Sequence, residues 1–143
     1  MLKVDCIIFI SFMVLLVWFN DLSACTTFCL KGNHQVVLCK NLDWDFGFGM
    51  IEVNKKGLFK KAFVRGNETP IEWTSKYGSI TFNQVGNEFP FGGMNEAGLV
   101  IEEASYFWTK YPAPDNRPTL NELQWIQYQL DNFSTIQEVI KSD

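Results

Sequence analysis

Cys25-Thr-Thr-Phe-Cys-Leu-Lys31-Gly-Asn-His-Gln35-Val-Val-Leu-Cys-Lys40-Asn-Leu-Asp43 reads as a β-hairpin. Two runs of strand character, Cys25 to Leu30 and Gln35 to Asn41, flank Lys31-Gly32-Asn33-His34. That segment carries hairpin chemistry, because glycine and asparagine tolerate the left-handed backbone of a tight turn. With Gly32 and Asn33 as the turn residues, Lys31 pairs with His34 and counting back sets Cys25 opposite Lys40. A one-residue slip moves the partner to Asn41. Either register carries Cys25 beside Lys40-Asn41-Leu42-Asp43.

Upstream, Leu22-Ser23-Ala24 presents small residues where a signal peptidase cuts, after a weakly positive start at Lys3 and an apolar run from Cys6 to Phe19. As a helix that run spans roughly 21 Å, short of the roughly 30 Å hydrocarbon core, which suits a signal peptide over residues 1–24 better than a stable anchor. Cleavage after Ala24 makes Cys25 the first residue of an exported chain. Its α-amine would titrate near about 7.7, far below a lysine at about 10.4, so nucleophile and general base would share one residue. Leu-Ser-Ala-Cys also fits a bacterial lipobox, in which the thiol is lipidated and the amine acylated. The leader leaves both open: an exported enzyme, or a lipoprotein anchored through Cys25 that carries a non-catalytic α+β binding module.

Removing residues 1–24 takes away Lys3, Asp5 and Asp21 and leaves a net charge of −3. With no basic cluster to neutralise phosphates, nucleic acid is not an expected partner. Nor is a membrane, unless Cys25 is lipidated. The cysteines that remain, Cys25, Cys29 and Cys39, are an odd number, and a Cys29–Cys39 disulfide stays open. With one histidine, His34, and no Cys-x-x-Cys, no metal site is expected.

Further strands are expected at Met50–Asn54, Lys60–Val64, Ser79–Asn83 and Leu99–Ser105, punctuated by Gly57, Gly66-Asn67, Gly86-Asn87 and Gly92-Gly93. After the proline-rich linker 111–118 the pattern turns helical. Thr119 to Glu122 reads as a capping box, and Leu123, Ile126, Leu130 and Phe133 recur at helical spacing. A second helix is expected after Ser134, with Gln137 three residues on. Strands first and helices after them indicate a layered α+β fold.

Three blocks give the chain a specific resemblance: Cys25-Thr26-Thr27-Phe28, Lys40-Asn41-Leu42-Asp43-Trp44 and Gly93-Met94-Asn95-Glu96-Ala97-Gly98-Leu99. With the helical stretch from Leu130 to Ile140, they resemble the choloylglycine hydrolase and penicillin V acylase family, cysteine N-terminal nucleophile hydrolases that cleave linear amides. The resemblance spans residues 25–143 and implies the N-terminal portion of an αββα sandwich, incomplete here, with no cofactor and a small-molecule amide as substrate. It implies Cys25 as nucleophile and Asp43 as the carboxylate that bonds its α-amine. Lys40 stands where the family usually carries arginine, keeping the charge and losing the planar fork. An oxyanion-hole residue is implied at Ser105, or at Tyr106 if the alignment slips by one. Asn95 is read as a turn residue. A further asparagine and an arginine are implied beyond residue 143, and full-length members commonly assemble as oligomers. Trp44, Phe46 and Phe48, alternating with Gly47 and Gly49, either line an acyl pocket or fill a core.

Overall fold

The computed structural model describes residues 25–142 other than 34, 45, 105, 107, 111, 112 and 114. The leader, His34 and Ser105 therefore lie outside the described residues. The chain divides into two compact units, residues 1–46 and 47–143.

The first unit is the hairpin, with β1 at Thr26–Lys31 and β2 at Val36–Asn41. Its register differs from the two-residue-turn expectation. Lys31 pairs with Val36, Thr27 with Lys40 and Thr26 with Asn41. The loop holds four residues, 32–35, and is closed by Gly32 N donating to Gln35 O at 2.8 Å. The displacement is two residues, so the strand period preserves every side chain's face, whereas the one-residue slip would have reversed them all. Cys29 pairs with Leu38 and Cys39 with Phe28, which puts the two thiols on opposite faces of the ribbon. Both are free, as is Cys25, and the open Cys29–Cys39 disulfide does not form.

The second unit is built on an antiparallel sheet in the order β3-β6-β7-β8, comprising Met50–Asn54, Ser79–Asn83, Pro90–Asn95 and Val100–Glu102. A separate ribbon pairs β4, Phe59–Lys61, with β5, Glu72–Thr74. Strand alternation on β6 buries Ser79, Thr81 and Asn83 and leaves Ile80 and Phe82 about half exposed. A 3-10 turn at Glu122–Gln124 leads into α1, Trp125–Asn132, and α2 follows at Ile136–Ser142. The turn is capped by Asn121, whose side chain accepts from Leu123 N at 2.9 Å, and not by the expected Thr119 box. Thr119 instead makes backbone bonds with Thr69 and Ile71.

Helix α1 lies on the sheet through Ile126 and Leu130, which join Leu99 in the core, with Ile101, Trp125, Phe133 and Val139 packed around it. Gly93 allows close packing against both β6 and α1. A Cβ there would stand 2.5 Å from Ile80 O and 3.1 Å from Leu130 Cδ1. Beside this apolar cluster lies a buried polar one centred on Asp131. Trp73 Nε1 donates to Asp131 Oδ2 at 2.7 Å, Gln127 Nε2 donates to Oδ1 at 2.9 Å, and Lys60 Nζ lies 3.0 Å from Oδ2. The Asp131 carbonyl accepts from Lys76 N and Tyr77 N at 2.7 and 3.2 Å. One helical residue thus holds β4, β5 and the turn that enters β6. Breaking such a buried pair from one side typically costs about 3–5 kcal/mol.

Candidate active site

The hairpin register governs what stands near the proposed nucleophile. Thr27, not Cys25, opposes Lys40. Alternation places Thr27 and Lys40 on one face, and Cys25 immediately precedes the paired ladder. Past the end of β2, Cys25 Sγ donates to the backbone carbonyl of Asp43 at 3.9 Å. Asp43 is half-buried, and its Oδ1 accepts from Asn41 Nδ2 at 2.7 Å. Cys25 is exposed. The expected bond from Asp43 to the α-amine requires a free amine, and in this chain the Cys25 nitrogen is still in peptide linkage with Ala24.

The remaining expected residues are placed as follows. Trp44 and Phe46, in the first unit, are each 58% exposed, and Phe48, in the second, is 68% exposed. None of the three is buried in this chain. β8 runs over Val100–Glu102, and beyond it Glu103 N donates to Phe91 O at 2.9 Å. Tyr106 accordingly sits in a turn past the strand. Its carbonyl accepts from Thr109 N at 3.1 Å and Thr109 Oγ1 at 2.7 Å, and its ring lies 5.4 Å from that of Trp108. Asn95 ends β7 and is buried. It is more than a turn residue, since besides accepting from Ala97 N and Leu99 N it donates to the carbonyls of Leu130 and Phe133. A groove of about 240 Å³ between residues 63–68 and 119–122 contains none of these side chains.

Residues 25–142 match the linear amide C–N hydrolases of the choloylglycine hydrolase family. The chain belongs to that family. It is 32% identical over 134 residues to a penicillin V acylase of Pectobacterium atrosepticum, an alignment that covers 83% of this chain and 34% of that protein. Among solved structures it resembles the penicillin V acylase of Agrobacterium tumefaciens, with a TM-score of 0.67 and 29% identity, over 84% of this chain and 37% of the other. The chain therefore spans about a third of the length of these relatives. Their fold is the N-terminal nucleophile sandwich, of which the sheet and two helices described above are an incomplete α+β part.

Within this member of the choloylglycine hydrolase family, sequence reasoning located the hairpin and the cysteine–aspartate pair. It assigned nothing to Asn41, the side chain that engages the Asp43 carboxylate. The available signal was spacing: residues 41 and 43 are two apart on an extended segment and so share a face.

Proposed function

We propose that this chain is the nucleophile-bearing part of an exported hydrolase that cleaves linear N-acyl amides through a Cys25 thioester. The observation that carries the reading is the juxtaposition of the Cys25 thiol with Asp43 at the end of the hairpin. The family match, which opens at Cys25, supports it. After cleavage behind Ala24, the α-amine takes the thiol proton and the thiolate attacks the amide carbonyl. The carbon–nitrogen bond of the tetrahedral intermediate then breaks, the amine leaves with the proton returned by the α-ammonium, and Cys25 is left acylated. Water, deprotonated by the same α-amine, releases the carboxylic acid and restores the thiol. Lys40 supplies a positive charge on the hairpin, Asp43 orients the amine, and Ser105 or Tyr106 stands for one oxyanion donor.

The exposed aromatic side chains of Trp44, Phe46 and Phe48 support a hydrophobic acyl group. The relatives' name, penicillin V acylase, is consistent with such a substrate. Intact mass and N-terminal sequencing of the exported full-length protein test the reading. A free Cys25 amine, with acyl-amide hydrolysis lost in Cys25→Ser, is the expected result. A diacylglyceryl adduct on Cys25 or a blocked amine would end it and leave a tethered binding protein.

A further inference from the structure

Asn41 is the last residue of β2, and its backbone is fixed by pairing with Thr26, the neighbour of the proposed nucleophile. Its carboxamide contacts Asp43 Oδ1 at 2.7 Å. A carboxylate only accepts, so the nitrogen of the amide must face it, and the donor is fixed by chemistry. Asp43 in turn offers its backbone carbonyl to Cys25 Sγ. A continuous path therefore runs from the ladder through Asn41 and Asp43 back to the thiol.

We propose that Asn41 is a positioning residue for amide hydrolysis, holding one oxygen of Asp43 so that the carboxylate is set for the α-amine of Cys25 once Ala24 is removed. This rests on the reading of Cys25 as an N-terminal nucleophile. The amide donor also withdraws negative charge from the carboxylate and so moderates its grip on the protonated amine. Without it, the ammonium is held more strongly and the amine stays protonated to higher pH, where it cannot act as a base. The other charged or titratable groups on the described hairpin are Lys40, paired with Thr27, Lys31 at the far end, and the thiols of Cys29 and Cys39.

The test uses the full-length processed protein and two readouts: acyl-amide hydrolysis across pH, and the pH dependence of Cys25 alkylation by iodoacetamide, followed by peptide mapping. Asn41→Ala is expected to lower kcat by about tenfold with KM within about twofold, and to move both pH midpoints upward. Asn41→Thr, which keeps a donor on a strand-compatible side chain, is expected to recover most of the loss. Asn41→Asp, which sets a second carboxylate beside Asp43, is expected to move the midpoints further up and reads the same effect if the alanine variant does not fold. Unchanged alkylation midpoints in the variants would overturn the proposal. So would equal losses in the alanine and threonine variants without any pH shift, the mark of a merely structural role. Cys25→Ser separates the two levels: hydrolysis that survives it removes the nucleophile itself, whatever Asn41 does.

Discussion

The carboxamide of Asn95 joins two elements that are far apart in sequence. Its Nδ2 donates to the carbonyls of Leu130 and Phe133 at 2.9 and 2.7 Å, groups left without partners where α1 ends. Its Oδ1 accepts from Ala97 N and Leu99 N at 3.1 and 3.0 Å, which shapes the turn into β8. Asn95→Ala leaves both pairs of backbone groups unsatisfied in a buried place, and a loss of about 3 kcal/mol in urea denaturation is expected. Asn95→Asp should cost more. It keeps the acceptor for the turn but sets an anion against two carbonyl oxygens. An aspartate variant as stable as the parent would show that the helix end does not depend on this side chain. The glycines on either side had marked Asn95 as a turn-former, and the turn bonds agree with that. Its hold on α1 was hidden, because no local pattern reports a partner 35 residues away.

At the scale of elements, the expected and observed helix starts differ by one residue, and side-chain chemistry explains why. The box anticipated at Ser134 and Gln137 forms instead between Thr135 and Glu138. Thr135 Oγ1 accepts from Glu138 N at 3.3 Å, while Glu138 Oε2 accepts from Thr135 N at 3.1 Å and Ser134 N at 2.8 Å. A carboxylate outcompetes a neutral amide for these donors. The Ser134 backbone bond, followed by the Ser134 hydroxyl and the Thr135 bonds, lowers the Glu138 carboxyl from its ordinary value of 4.5. A depressed carboxylate contributes stability that is complete above 4.5 and is lost as pH falls through its lower folded value. Glu138→Gln should therefore flatten the acid side of the stability profile below about pH 4.5 and leave its neutral side nearly parallel to the parent's, as read by thermal melts across pH. A parallel acid limb in the variant would contradict the cap. The strands were legible where alternation was clear: β3 and β6 match their expected bounds. β7 was obscured because Gly92 and Gly93 resemble punctuation, yet a Cβ at Gly93 would clash with the β6 backbone at Ile80 and press on Leu130 of α1. The short β5 carried no alternation long enough to read.

For the molecule as a whole, the order of strands followed by helices and the hairpin bearing Cys25 and Asp43 could be read from sequence, since both rest on local periodicity. The ion pair of Lys60 with Asp131 could not, because a lysine in a Lys60-Lys61 pair looks solvated until a helix residue 71 positions later covers it. The sheet face turned away from α1 is a second large-scale feature. Register aligns Val53 with Ile80 and Met94, and Ile51 with Phe82, and these five side chains are 48 to 74% exposed. A contiguous apolar face of this kind drives association when nothing covers it. Expressed as residues 25–143, the chain is expected to bind a hydrophobic dye such as ANS and to sediment as more than a monomer. Ile80→Lys combined with Met94→Glu places opposite charges at directly facing positions, a pairing the antiparallel ladder accommodates at about 0.2–1 kcal/mol in its favour. The double variant should lose most of the dye signal and move toward monomer while keeping its far-UV circular dichroism. Unchanged dye binding and mass would instead place the adhesive surface on the hairpin, where Phe28, Leu30, Val36 and Val37 are also exposed. Substitutions in those four residues would then be the ones to restore the monomer.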